Sequence, residues 1–383
     1  MVVRCAGLPL AIIVLGGLLA TKETLDEWDI VHRNIKSHLG RGREQGQQSR
    51  VHEVLALSYH ELPYQLKPCF LYLSHFPEDF DIPAKKLVRL WVAEGFVSPK
   101  YELEGDEMLE DFAERCLVEL INRCMVQVGI TGSSGRIKSC RLHDLMRDLC
   151  LSKAKQENFL HIVSPWSRNE KADSSTGRIR RLAIFSEEFL TMNYYKENHH
   201  IRSLIYFNEN SQLIKSVFKY LKLLRVLDLE GIQLLDGELT EEIGSLIHLR
   251  FLSLKKTRIR VLPSSISNLV CLKTLNLETI EELSWEINCT NTNCDMEDET
   301  VETSISSKVV SGWTVEAGAM PSLFRLEISD CNKMVTAPHG LKFVSMLQEL
   351  EIRWMPRAFK HRLEEGGEDL CIVQHVPSII FLN

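Results

Sequence analysis

A nucleophile, a general base or a metal site in this chain would have to come from its histidines, cysteines and paired carboxylates. His75, His143, His161, His199 and His200 have no serine or cysteine beside them in a nucleophile context, so no catalytic triad is legible. The 11 cysteines are an odd number, scattered, with no CxxC pair; the closest two, Cys289 and Cys294, lack the spacing of a zinc quartet. Cys116, Cys150 and Cys271 fall in apolar periodic segments and are expected to be small core residues. Glu78-Asp79 and Glu281-Glu282 read as solvated turns. Phosphate chemistry needs a glycine-rich loop whose amides cradle the anion, followed by Lys and Ser/Thr. No GxxxxGK[ST] run is present, nor an apolar strand ending in paired aspartates. The expectation is a protein that binds rather than catalyses, with no metal, in a reducing compartment.

The 383 residues suit two or three domains; with 44% hydrophobic and 25% charged residues the chain has the balance of a globular protein. A net charge of −7 lacks the basic footprint of a dedicated nucleic-acid binder. Arg4 followed by the apolar stretch Ala6 to Ala20 has the outline of a short export signal, although the bulky Leu18 stands where a small residue is wanted. The same stretch is too short and glycine-broken to span a bilayer, and no other stretch is apolar enough.

Residues 6–39 read as two helices. Leu8, Ile12, Leu15 and Leu19 stripe the first, and Thr24 caps a second through Trp28, Val31 and Ile35. Gly40 to Ser49 reads as a polar linker. Leu66 to Phe76 is an apolar helix that tolerates Pro68 in its first turn and stops at Pro77. Ile82-Pro83 is expected to open the next helix, with Pro83 in its first turn, Leu87, Val88, Leu90 and Trp91 as its buried stripe, and Gly95 as its end. Met108, Leu109, Phe112, Ala113, Cys116, Leu117, Leu120 and Ile121 make a third helix. Met125 to Ile130 and Ile137 to Leu142 flank Gly132-Ser133-Ser134-Gly135 as a hairpin, and Asp144 is placed to cap a helix carrying Leu145, Met146 and Leu149. Three helices and a hairpin are the layout of a winged helix. Its candidate reading helix, Ala84 to Glu94, offers Lys85, Lys86 and Arg89 but spends most of its surface on packing, so DNA binding is not expected.

From residue 179 a motif with apolar residues at positions 1, 4 and 6 recurs, at Ile179, Ile201, Leu224, Leu249, Leu272, Leu323 and Leu347. The starts are 22, 23, 25, 23, 51 and 24 residues apart, which are leucine-rich-repeat periods with room for two degenerate units in the long gap. Such strands bury their leucines only against neighbouring repeats, so the array is a solenoid. The expected organisation is α+β. A helical-bundle remnant at 1–49 and a winged-helix domain at 50–160 precede a leucine-rich-repeat α/β solenoid at 161–383, interrupted by a polar insert near 284–318. The segment 151–178 is the one candidate cap. The exposed residues between the leucines are expected to carry specificity.

Gly7-Leu8-Pro9-Leu10, Leu66-Lys67-Pro68-Cys69-Phe70-Leu71, Phe76-Pro77-Glu78-Asp79, Leu90-Trp91-Val92-Ala93-Glu94-Gly95-Phe96 and Leu142-His143-Asp144-Leu145 occur in this order. Together with the repeats, the set resembles plant nucleotide-binding leucine-rich-repeat disease-resistance proteins of the coiled-coil subclass, over residues 4–160. Gly366-Gly367-Glu368-Asp369 and Val373-Gln374-His375-Val376 resemble the tails of cereal members. The resemblance implies ADP/ATP binding, in which Pro9 would pack on adenine and His143 would contact the ADP phosphate; Leu142 replaces the family's methionine. Because the phosphate loop is absent from this sequence, the chain is expected to be N-terminally truncated and not to hold nucleotide stably. The resemblance further implies innate-immune sensing in the cytoplasm. The repeats would contact a pathogen effector or guarded host protein and make intramolecular contacts with the winged helix. Two alternatives stay open, an ADP/ATP-dependent switch completed by sequence upstream, and a secreted leucine-rich-repeat binding protein.

Overall fold

The computed structural model describes residues 5, 7–39, 47–97, 109–165, 178–188, 190–208, 211, 214–234, 237–257, 259, 262–278, 319–332 and 334–382. The expected insert near 284–318 lies outside them, as do residues 40–46 of the expected linker. The chain divides into two units, Met1–Ile162 with Ser174–Ala183, and Val163–Asp173 with Ile184–Asn383.

The first unit opens with α1 (Pro9–Ala20), apolar on every side, which buries Ala11, Val14, Leu15 and Leu18 and packs on α3. A side chain at Gly17 would stand 2.6 Å from the backbone carbonyl of Arg123, so the close approach there depends on glycine. Helix α2 (Leu25–Leu39) begins with a capping box. The Glu27 carboxylate accepts from the Thr24 amide at 3.0 Å, and the Thr24 hydroxyl accepts from the Glu27 amide at 3.3 Å. Helix α3 (Gln47–His60) starts inside the expected linker, because Gln47 and Gln48 are adequate helix formers leading into the buried Val51, Val54 and Leu55.

Helix α4 (Leu66–Tyr72) runs into a 3₁₀ turn over Leu73–His75, with Pro68 tolerated in the first turn. Ile82–Pro83 is not the start of a helix. It forms β1, which pairs antiparallel with Ser139 and Cys140, while Pro83 sits just ahead of α5 (Ala84–Glu94) with extended backbone. Proline has no amide to donate, and at this position none is required. Gly95 ends α5 in the left-handed conformation, φ 83°. Helix α6 (Leu109–Asn122) packs on α4 and α5 and buries Ala113, Cys116, Leu117 and Leu120. The hairpin pairs β2 (Gln127–Val128) with β3 (Ser139–Arg141), giving the small sheet β1-β3-β2, and α7 (Asp144–Gln156) packs back on α3 and α4.

The larger sheet runs β4 (His161–Val163), β5 (Arg181–Ile184), β6 (Ser203–Tyr206), β7 (Val226–Asp228), β8 (Phe251–Leu254), β9 (Thr274–Glu278), β10 (Arg325–Ser329), β11 (Glu349–Arg353), β12 (Ser378–Leu382), in sequence order. Every recurring motif supplies a strand, and the pairs from β6 to β12 are parallel. Leu227, Leu252, Leu275, Leu326 and Leu350 stand in register at position 4, each buried to within 1%. Strand β10 pairs directly with β9; residues 279–318 between them, where the spacing leaves room for two degenerate units, lie outside the described residues. A strand the sequence reading missed is β12, although Val376, Ile379 and Phe381 keep the 1, 4, 6 pattern; Ile379 pairs with Leu350 and Phe381 with Ile352.

Across the strands from the ladder, 3₁₀ turns at Glu241–Ser245, Ser264–Asn268 and His339–Phe343 return the chain. The first two stack so closely that a side chain on Gly244 would meet the Ser265 carbonyl oxygen at 2.3 Å. Between β11 and β12 lie α8, here Arg357–Leu363, and α9, Leu370–Val373. The Gly-Gly-Glu-Asp tail motif works here. Gly366 turns with φ 84°, and the buried Asp369 accepts a two-pronged bond from Arg362 at 2.8 and 2.9 Å and another from the Ala337 amide at 2.8 Å.

Candidate functional site

His143 sits at the N-cap of α7 with extended backbone, φ −71° and ψ 145°, and its ring Nδ1 accepts from the Leu145 amide at 3.3 Å. Its carbonyl accepts from Met146 at 2.8 Å and Arg147 at 2.9 Å. The ring therefore satisfies one of the donors that every helix start leaves open. Asp144, expected as the cap, is instead the first helical residue and is exposed; the helix begins one position earlier than its sequence signal. An acidic residue in the first turn still complements the positive end of the helix. Pro9 is exposed in the first turn of α1, where its fixed φ suits the helix start. Both residues thus open helices that pack on α3.

Beside His143, Leu73, Phe76, Phe80, Ile82, Leu142 and Arg147 line a shallow recess. The Phe76 and Phe80 rings stack at 5.7 Å, and Arg147 Nε donates to the Phe76 carbonyl at 3.4 Å. Pro77 and Asp79 complete the lining, so the recess is of mixed polarity, and its guanidinium is already engaged by backbone.

The other residues with chemical potential are built into packing. His75 is fully buried, its Nδ1 lies 2.8 Å from the Tyr72 carbonyl and its ring 4.1 Å from that of Tyr72. Burial pulls its pKa down to about 3, so the ring is neutral at physiological pH. Burial pushes the Cys150 and Cys140 thiols up to about 12, away from nucleophilic character. Cys116 and Cys150 are core residues as their periodicity indicates, whereas Cys271 is only partly buried. Among the described residues no group of three or more His, Cys, Asp or Glu could hold a metal ion.

A second constellation runs along the repeat sheet. Position 5 of successive motifs brings Asp228, Ser253, Asn276, Glu327 and Glu351 into one row, each paired with the next in strand register. All five lie between the motif leucines, and all five are 5% exposed or less. Strands lie about 4.8 Å apart, so side chains on one face shield their neighbours. Carboxyl side chains stand at both ends of the row, and basic residues meet those at its Glu327–Glu351 end. Lys255 Nζ meets Glu327 at 2.5 Å, Arg353 Nε lies 3.3 Å from the same carboxylate, and Arg353 also bonds Glu351. Arg325 Nε reaches Glu349 at 2.9 Å. Burial, the largest cause, raises the Glu278 carboxyl above its ordinary value; Lys256 and Lys255 oppose the rise, and Glu230 and Glu327 add to it. No sequence signal ranked these residues, because their motif position tells only which face they share. Of the basic residues on α5, Arg89 is buried. No described helix is long and apolar enough to cross a membrane.

The profile of the disease resistance protein winged helix domain matches residues 76–150, and that of a leucine-rich repeat region matches residues 200–289. The chain is 33% identical over 511 aligned positions to putative disease resistance protein At1g50180 of Arabidopsis thaliana, covering 100% of this chain and 58% of the relative. It is 45% identical over 288 positions to probable disease resistance RPP8-like protein 2 of the same plant, covering 74% and 32% respectively. Disease resistance protein RPP8, also from that plant, is 29% identical over 557 positions, covering 100% and 61%. The chain thus spans less than two thirds of the length of these relatives. The recurring strands, the winged helix before them and these relatives agree: the chain belongs to the plant nucleotide-binding leucine-rich-repeat disease-resistance family.

Proposed function

We propose that this chain serves plant disease resistance as a protein-contact sensor, its repeats meeting a pathogen effector or a guarded host protein in the cytoplasm, and that these residues do not hold ADP or ATP stably by themselves. The observation that carries the second half is the sequence itself, which holds no GxxxxGK[ST] loop to cradle a phosphate; the His143 Nδ1 caps its own helix and leaves only Nε2 to meet an anion. A residue engaged in that way has a structural reason to be there without any phosphate. The first half rests on the in-register sheet, whose leucines fix a scaffold that carries partly exposed polar residues such as Lys255, Arg325, Glu349 and Arg353 beside its buried row.

Calorimetric titration of the purified chain with ADP, beside a His143→Ala variant, tests the reading. No heat of binding from either protein is the expected result. The variant should also lose about 1 kcal/mol of stability as the cap is removed. Micromolar binding that disappears in the variant would overturn it and make the chain a nucleotide-dependent switch with His143 as its phosphate contact.

A further inference from the structure

Position 2 of the repeat motif is basic in four successive repeats, at Arg202, Arg225, Arg250 and Lys273. The backbone stacks these positions on one another. The Arg225 amide donates to the Arg202 carbonyl at 2.6 Å, the Arg250 amide to Arg225 at 2.8 Å, and the Lys273 amide to Arg250 at 2.9 Å. All four residues are partly exposed, each just ahead of its strand, β6 to β9. Neighbouring strands lie about 4.8 Å apart, and like charges set opposite each other in a sheet work against its formation. The proximity is felt at Lys273. Burial and then the Arg250 charge pull its pKa below the ordinary value, with Cys271 opposing. Burying the motif leucines does not require a basic residue at position 2, so the column has no packing reason to be there.

Three residues further along β8 and β9 stand Ser253 and Asn276, paired in register and 0% and 5% exposed. Ser253 Oγ and Asn276 Oδ1 are buried and meet no hydrogen-bond partner among the described residues. A buried acceptor left unmet costs stability, so each such atom needs a reason, and a donor arriving from outside the chain is one. One kind of ligand meets both needs. The column calls for several negative charges in a line, and Asn276 Oδ1 calls for an N–H or O–H donor close to them. A polyphosphate supplies the charges but no donor. A broader polyanion such as nucleic acid would meet the carboxylates of Asp228 and Glu278, further along β7 and β9. An extended acidic peptide supplies carboxylates for the guanidinium groups and backbone amides for the unmet acceptors.

We propose that the repeat array docks an acidic, extended segment of its protein partner across the heads of β6 to β9, with carboxylates on Arg202, Arg225, Arg250 and Lys273 and an N–H donor on Asn276. The proposal rests on the reading of the repeats as a protein-contact surface and adds the chemistry of what they contact. A line of like charges also speeds the approach of an oppositely charged partner and turns away basic ones.

Fluorescence anisotropy of the full chain with a labelled peptide of alternating Glu and Gly, whose carboxylates line one edge when extended, tests the docking. Binding is expected at about 50 mM salt and should weaken about tenfold at about 300 mM. Arg250→Glu combined with Lys273→Glu should weaken it about tenfold or more. Lys219→Glu combined with Lys342→Glu makes the same charge change at exposed residues outside the column and should leave binding within about twofold. Asn276→Leu removes an unmet buried oxygen, so the Tm should be no lower while peptide binding falls about threefold or more. Should the reversed pair fold poorly, Arg250→Gln with Lys273→Gln gives the same comparison without reversing charge. No binding at low salt, equal losses from the two charge-reversed pairs, or undiminished binding by Asn276→Leu would overturn the proposal and leave protein contact elsewhere on the repeats standing. Tighter binding of an oligothymidylate or a polyphosphate of equal charge would overturn it together with the protein-contact reading.

Discussion

In the winged-helix unit, Glu94 and Arg181 meet across 87 residues of sequence at a single place, enclosed by two aromatic rings. In the repeat unit, buried carboxylates recur at one motif position, and partners such as Arg325 and Glu349 lie 24 residues apart on adjacent strands. The first unit is a three-dimensional core whose contacts occur once. The second is a stack in which each layer meets only the next. The same physical costs of burying charge are therefore handled by one enclosed pair in the first unit and by a distributed ladder in the second. Damage should be global in the winged-helix unit and local in the array.

Trp91→Ala should have the largest effect. Trp91 is fully buried in α5, and the cavity should cost about 3–5 kcal/mol. Denaturant unfolding followed by hydrogen exchange should show α4 to α7 losing protection together while β7 to β11 keep theirs. If the repeats melt with them, the two units are one cooperative block. Gly244→Ala probes the array with a smaller effect. The added methyl would collide with the Ser265 carbonyl, costing about 1–3 kcal/mol. Exchange should rise over 241–278 and fade towards β11; a uniform rise across the sheet would refute nearest-neighbour behaviour.

The smallest effect sharpens the account of the charges along the repeat sheet. Glu278 has its pKa raised by burial, so the folded state binds its proton more tightly than the unfolded chain does. Its contribution is fully present below the unfolded carboxylate value, near 4.5, and is lost as pH rises through the folded value. Glu278→Gln should therefore raise the Tm by about 1–2 °C at pH 7 and leave it unchanged at pH 4. A gain of equal size at both pH values would assign the effect to something other than the carboxylate's charge.

Much of the fold was legible because it is written in short-range periodicity. Seven motifs gave seven strands, and the faultless stripe from Leu109 to Ile121 gave α6. The misreadings share a cause. Ile82–Pro83 became a strand because Ser139 and Cys140 came to lie alongside it, and β12 formed because β11 offered an open edge. Neither partner is visible from within the segment itself. The candidate site was less legible still. His143 was singled out by its motif, but its role as a helix cap in place of Asp144 depends on where α7 begins.

What the sequence determined by itself is the kind of layer each segment forms, since alternation of apolar residues fixes which side chains must leave water. It also determined family membership, through ordered motifs that no single helix or strand requires. The tertiary structure alone decided which charges meet. Arg181 finds Glu94, Phe96 and Phe159, and Lys255 finds Glu327, because packing brings distant strands and helix ends within a few ångströms. It also decided that position 5 of the motifs is buried, because shielding by a neighbour is a property of the stacked sheet and of no single strand.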